Sequence, residues 1–190
     1  MKNFVGVLFL IVGNSGSGKD SIISGVMKRY PSNLKQLHAP KRYITRPSSK
    51  YEANISITPE KFREMEMNGK FALNWNIYEL DYGIPIEIEN FLEKGDPVII
   101  NVSRTVVKKA REKYKNIRVI FVEVPFEITL QRIKDRKRES AKLLNARIER
   151  ARKNQEFPEA DFTIDNSGNL EDAIDQFLTY LIKIVDMKKT

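Results

Sequence analysis

Short apolar runs alternate along the chain with longer stretches in which apolar residues recur every three or four positions. The first run, Phe4–Val12, is almost continuously apolar and reads as a buried strand. From Lys19 to Tyr30, Ile22, Ile23, Val26 and Met27 fall on one helical face, and Pro31 ends the helix. A helix is predicted over Pro59–Asn68, with Thr58 as N-cap and Pro59 at the first position. Similar signals place one at Pro85–Lys94, stopped by Gly95. Pro97–Val102 and Ile117–Val124 are β-branched runs that predict strands, with a charged helix over Thr105–Tyr114 between them. Helices follow at Phe126 to about Lys137 and Ser140 to about Lys153. A short strand at Phe162–Ile164 and an amphipathic helix over Leu170–Met187 close the chain.

Apolar strands that do not alternate and are separated by helices belong to a parallel sheet covered on both faces, so the class is α/β. The rhythm breaks from Lys41 to Tyr82. That polar and aromatic stretch reads as an insert of short strands and a helix beside the main sheet. The length of 190 residues suits a single domain able to bury a core.

Composition narrows the chemistry. There is no cysteine, which excludes disulfides, thiolate metal sites and a thiol nucleophile, and suits a reducing, cytoplasmic setting. The apolar start is too short to span a bilayer, and no membrane role is expected. His38 is the only histidine, so no histidine pair exists for metal or acid–base work. It reads as unassigned surface or loop. The net charge is +8, and Gln131–Lys153 holds ten basic residues against Asp135, Glu139 and Glu149. Aromatics are not interleaved with that run, so nucleotide phosphates are a better match for it than a nucleic-acid strand.

The segment Gly13-Asn14-Ser15-Gly16-Ser17-Gly18-Lys19-Asp20-Ser21 carries the chemistry. Its glycines let successive N–H groups turn inward as an anion nest, the following helix adds its N-terminal dipole, and Lys19 supplies an ammonium for the β- and γ-phosphates. The context is right, because the loop follows an apolar strand and opens a helix. The usual Ser or Thr after the lysine is replaced by Asp20, itself a hard oxygen ligand for Mg²⁺; Ser21 is the substitute.

Further segments join Gly16–Ser21 with its aspartate: Arg42-Tyr43-Ile44-Thr45-Arg46, Glu52-Ala53-Asn54-Ile55, Ala72-Leu73-Asn74-Trp75, Tyr82-Gly83, Asn101-Val102-Ser103-Arg104 and Asn145-Ala146-Arg147. On these residues the chain resembles, over nearly its whole length, the guanylate-kinase-like nucleoside monophosphate kinases, and within them the branch of ribose 1,5-bisphosphate phosphokinases. The resemblance implies a P-loop NTPase fold with a mainly parallel five-stranded sheet sandwiched by helices. The implied divisions are a core of 1–40, 83–130 and 155–190, an acceptor-binding insert of about 41–82, and an arginine-rich lid of about 131–154. The departures are informative. Asn74 stands where guanylate kinases read the guanine edge with a glutamate, and the second acceptor arginine falls on Ser49. Asn101-Val102-Ser103 replaces an Asp-x-Asp. Phosphate-binding groups are kept and base-reading groups lost, which points to ribose 1,5-bisphosphate as acceptor, with 5-phosphoribosyl 1-diphosphate and ADP as products. A nucleoside monophosphate kinase of changed base preference is the alternative, and a monomer or homodimer is expected.

Phosphoryl transfer asks mainly for positioning and charge neutralisation. ATP is expected to meet Gly13, Asn14, Ser15, Gly16, Ser17, Gly18, Lys19, Asp20 and Ser21, with Asp20 or Ser21 holding Mg²⁺. Arg42 and Arg46 would clamp the acceptor phosphate, unless they are surface arginines of a solvated strand. Tyr82 joins them by resemblance. Asn101, Ser103 and Arg104 end a buried strand, where open α/β sheets hold ligands. The lid would supply Arg132 and Arg136 to the donor and Arg138 and Arg147 to the acceptor. Lys19, Arg136 and Arg147 are the expected catalytic groups. Arg150, Arg152 and Lys153 read as a solvated face. By resemblance Asn166 would meet the adenine, and otherwise it is a turn residue. Trp75 lines the acceptor pocket or the core.

Overall fold

A computed structural model describes residues 1–47, 54–135 and 141–186. Four strands form the main sheet: β1 (Leu8–Gly13), β6 (Val98–Asn101), β7 (Ile117–Glu123) and β8 (Phe162–Asp165). Their order is β6-β1-β7-β8, all parallel, with Leu10 of β1 opposite Ile100 and Val119. β1 is central and buried on both sides, which is why it reads as an unbroken apolar run. Its alternate residues feed two cores. Phe9 and Ile11 pack with Ile22 and Val26 of α1 (Lys19–Arg29) and with Phe177 and Leu181 of α7 (Leu170–Asp186). Leu8, Leu10 and Val12 pack on the other face with Ile88 and Leu92 of α3 (Ile88–Glu93) and Val107 and Ala110 of α4 (Val107–Lys113).

The fifth strand of the expected sheet is reduced to a single parallel bridge between His38 and Val98 at the outer edge of β6. The His38 N–H donates to Pro97 O at 3.0 Å, and the Ile99 N–H donates to His38 O at 2.8 Å. The imidazole stacks on Phe91 with centroids 3.8 Å apart and lies 3.2 Å from Asp96 Oδ2. His38 is therefore a packed edge residue and not an idle loop position.

The insert is a sheet of its own, built from β2 (Arg42–Ile44), β3 (Asn54–Ser56), β4 (Phe71–Ile77) and β5 (Leu80–Pro85), with α2 (Pro59–Met67) alongside. The order is β3-β2-β5-β4, antiparallel except for the β2–β3 pair. Thr58 caps α2 as predicted, its Oγ1 accepting from Lys61 N at 3.2 Å. The helix expected from Pro85 starts later. β5 continues through Ile84 and Pro85, opposite Leu73 and Phe71, and Ile84 is drawn into the core, so helix α3 opens only at Ile88. The helix expected at Thr105 begins as a 3₁₀ turn, Arg104–Val106, with Ser103 Oγ accepting from Thr105 Oγ1 at 2.9 Å.

α5 (Phe126–Asp135) and α6 (Ala141–Lys153) follow β7 and form a basic arm beside the sheet's C-terminal edge. Among the described residues no helix is long and apolar enough to cross a membrane.

Candidate active site

The loop between β1 and α1 is shaped by glycines at positions other residues could not take. Gly18, φ +87°, is the N-cap of α1, and a Cβ there would lie 2.4 Å from Asn166 Nδ2. A Cβ on Gly13 would meet Ser17 Oγ and Val122 O, each at 2.8 Å. Lys19 folds back over the loop. Its Nζ donates to Gly13 O (2.9 Å), Asn14 O (2.8 Å) and Ser17 Oγ (3.2 Å), which fixes the ammonium above the nest. Asn166 supports the loop from behind: it is buried, and its Nδ2 donates to Ser17 O at 2.8 Å. Its side chain thus holds the loop's backbone. Arg132 of α5 lies along the same side, its guanidinium 3.5 Å from Gly16 O and 3.4 Å from Asn166 O.

The loop forms one wall of an open cleft enclosing about 1050 Å³ counted out to solvent. The facing wall comes from the insert and the end of β6. Arg42 and Arg46, at the two ends of the Arg42–Arg46 segment, both line it, with Tyr82, Trp75, Ile77 and Tyr78. Arg42 is held in place: Nε donates to Asn54 Oδ1 at 2.8 Å, Nη1 lies 3.3 Å from Asn101 O, and the guanidinium is 5.6 Å from the Tyr82 ring centroid. Tyr82 stacks on Trp75 at 5.2 Å, nearly parallel, so Trp75 both lines the cleft and belongs to the core. Asn74 does neither. Its amide is bonded to Glu66 and receives Lys109 Nζ at 3.1 Å, outside the cleft lining.

Asp20 stands between the walls. Asn101 Nδ2 donates to its Oδ1 at 2.6 Å, and Arg42 Nη2 is 4.0 Å from its Oδ2. Asn101 Oδ1 is buried and has no hydrogen-bond partner among the described residues. Ser21 lines the same cleft. Among the described residues there is no cluster of three or more acidic, histidine or cysteine side chains that could hold a metal alone. Asp20, Ser21 and the orphaned Asn101 oxygen are hard oxygen donors, which fits Mg²⁺ held jointly with substrate phosphates.

The third side is arginine. Arg104 packs over Phe121 (4.9 Å) and Phe157 (5.6 Å), and its Nη2 donates to Asn154 O at 2.9 Å and Asn14 Oδ1 at 3.3 Å. Burial, with the neighbouring charge of Arg150, lowers its pKa to about 10, so it stays cationic at neutral pH. Arg147 Nη1 donates to Ser15 Oγ at 3.0 Å, and Arg150 Nη2 lies 3.4 Å from Ser103 Oγ. Asn14 is tied to the end of α6 as well, its Nδ2 donating to Asn154 O at 2.9 Å.

Of the expected site residues, the structure gathers Gly13, Asn14, Ser15, Gly16, Gly18, Lys19, Asp20, Ser21, Arg42, Arg46, Tyr82, Asn101, Ser103, Arg104 and Arg147 around the cleft, with Ser17, Asn166 and Arg132 behind the loop. Arg136 and Arg138 lie outside the described residues, as does Ser49. Arg150 is a correction. It is not on the solvated face with Arg152 and Lys153 but lines the cleft, one turn from Arg147. Helical spacing from Arg147 was the available signal. Tyr78 is a second residue the sequence did not mark.

The family model for guanylate kinase matches residues 6–184. The chain belongs to the guanylate kinase family. Curated relatives of the chain include a ribose 1,5-bisphosphate phosphokinase of Pectobacterium parmentieri, 36% identical over 177 residues, covering 92% of this chain and 93% of the relative. One of the same name from Bradyrhizobium diazoefficiens is 34% identical over 166 residues, covering 87% and 83%. Among solved structures, guanylate kinase of Anaplasma phagocytophilum superposes with a TM-score of 0.67 at 15% identity, covering 97% of this chain and 88% of that one, which establishes the shared fold. The chain is accordingly a kinase of the guanylate kinase family, and the expected P-loop α/β fold stands.

Proposed function

We propose that the protein transfers the γ-phosphoryl group of ATP to the 1-phosphate of ribose 1,5-bisphosphate, giving 5-phosphoribosyl 1-diphosphate and ADP. The observation that carries this reading is the charge of the cleft. Lys19, Arg42, Arg46, Arg104, Arg147 and Arg150 line it, and Asp20 is the one carboxylate among its described lining residues. Such a cleft suits two polyphosphorylated substrates. The position that would read a guanine edge, Asn74, is engaged elsewhere by Glu66 and Lys109. The names of the curated relatives support the same acceptor.

In this mechanism the loop amides and Lys19 hold the β- and γ-phosphates. Arg42, Arg46 and Tyr82 fix the acceptor phosphate, and Asn101, Ser103 and Arg104 bound the rest of its site. An oxygen of the acceptor phosphate attacks the γ-phosphorus; the bond to the β–γ bridging oxygen breaks, and ADP leaves with that electron pair. The acceptor is already an anion, so no general base is required, and neutralisation by Lys19 and Arg147 does most of the work. Asp20, with Ser21 or Asn101, would hold Mg²⁺, which when bound offsets charge on the phosphate oxygens. By the family resemblance Arg132 and Arg136 would serve the donor and Arg138 the acceptor, Arg136 and Arg138 lying outside the described residues, with the arm as the lid.

The test is product identity. With ATP and ribose 1,5-bisphosphate, ³¹P NMR should show the C1 phosphorus signal replaced by the coupled pair of a diphosphate. Consumption of ATP to ADP and free phosphate, with the sugar unchanged, would contradict the assignment.

A further inference from the structure

Strands β4 and β5 are joined by two residues only. Ile77 pairs with Leu80, so Tyr78 and Glu79 form the whole turn. Their φ angles are +56° and +61°, and among the described residues they are the only non-glycine positions with positive φ. Such a turn selects Asn-Gly, because both central residues must be left-handed. A tyrosine and a glutamate there hold a conformation that costs free energy, and strain of this kind collects at functional sites.

The strained tip points at the arginine helix. The guanidinium of Arg147 is 5.2 Å from the Tyr78 ring centroid and that of Arg150 is 5.9 Å away, both within cation–π range. Arg147 also reaches Ser15 of the phosphate loop, and Arg150 reaches Ser103 at the end of β6. Tyr78 itself lines the cleft. One ring therefore joins the acceptor-side sheet, through two arginines one turn apart, to the loop that holds the donor.

We propose that Tyr78 is a positioning residue: its ring, held in the left-handed hairpin tip, aligns Arg147 and Arg150 over the phosphate loop, so that the insert and α6 come together only in the transfer-competent arrangement. It rests on the proposed phosphoryl transfer, but it has a readout that needs no acceptor. Tyr78 acts through the arginines and does not itself meet the reacting atoms.

The experiment compares Tyr78→Leu, Tyr78→Phe and the double variant Tyr78→Asn/Glu79→Gly with the parent chain. Two quantities are read: steady-state kinetics with ATP and ribose 1,5-bisphosphate, and the trypsin cleavage rate within 126–153 with and without ATP. Loss of both ring contacts in Tyr78→Leu should lower kcat about tenfold with the KM for ATP within about twofold, and should abolish protection by ATP. Tyr78→Phe should restore both, because the π face is retained. The double variant removes the strain, so it should melt at or above the parent temperature and still lose kcat like Tyr78→Leu. That outcome separates positioning from folding. If Tyr78→Leu keeps its kcat and its ATP protection, or if Tyr78→Phe is as impaired as Tyr78→Leu, the proposal fails. If the parent chain ignores ribose 1,5-bisphosphate, the acceptor reading falls, and protease protection still decides the role of Tyr78.

Discussion

Lys19 and Asp20 are adjacent in sequence but serve different partners. Lys19 is held above the loop by three oxygens, poised where the β- and γ-phosphates would lie. Lys19→Ala should lower kcat about 10²- to 10³-fold, the usual cost of one preorganised charge contact; near-normal turnover would remove Lys19 from the mechanism. Asp20 faces Asn101 and Arg42 across the cleft. Asp20→Ser should move the Mg²⁺ concentration needed for half-maximal rate while changing the KM for the acceptor less. An unchanged Mg²⁺ titration would show that Asp20 is not the ligand. Both residues were legible in the sequence because a glycine-rich loop between strand and helix has few other uses. Arg150 and Tyr78 were not. Charge at helical spacing looks the same whether it faces water or a cleft, and no local pattern marks a hairpin tip that breaks its own turn preference.

The elements that place these residues were legible where one force dominated. Buried parallel strands announce themselves as apolar runs, and Thr58-Pro59 announces a helix start. Where tertiary pairing overrode local signals, the boundaries moved. Pro85 looked like a helix start but closes β5, because Ile84 is needed in the core beside Leu73. At the opposite edge of the sheet from the cleft, α3 and α4 are joined through Glu89. Tyr114 OH donates to Glu89 Oε1 at 2.8 Å, Lys113 Nζ is 3.3 Å from the same oxygen, and Lys2 bonds Oε2. Burial alone would raise this carboxyl, but the bonds from Lys2 and Tyr114 and the Lys113 charge hold it below the usual carboxylate value. A depressed carboxyl stabilises the fold above the unfolded value near 4.5 and loses that contribution as pH falls through the folded value. Glu89→Gln should cost about 2 kcal/mol in urea unfolding at pH 7. It should also flatten the decline in stability below about pH 4.5. A variant as stable as the parent at pH 7 would make the network incidental.

Across the whole molecule, two sheets and one arginine arm meet at the C-terminal edge of the main sheet, where α/β folds gather ligands. Three walls of cationic groups around one carboxylate leave the cleft with like charges close together; Arg104, whose pKa is lowered first by burial, is lowered further by the charge of Arg150. Polyphosphates should therefore stabilise the protein strongly. ATP at about 100 times its Kd should add about 2.7 kcal/mol. At this chain length that corresponds to a melting shift of roughly 5–10 °C, which should shrink at high salt as the charges are screened. A shift indifferent to salt would argue that the cleft binds the nucleotide mainly by its base. The class of fold and the donor loop could be read from the sequence, and the departure at Asn74 pointed away from a nucleotide acceptor. The convergence of Arg42, Arg104 and Arg147 from β2, the turn after β6 and α6 was expected only through the family resemblance, because those positions are far apart along the chain and no local pattern joins them. The acceptor is the point on which everything else depends. The ratio of kcat/KM for ribose 1,5-bisphosphate to that for GMP, measured on one preparation with ATP and Mg²⁺, should exceed about 10³, since a site without base partners leaves the guanine's polar groups unpaired. A ratio below one, with GMP turned over and the ribose compound ignored, would contradict it.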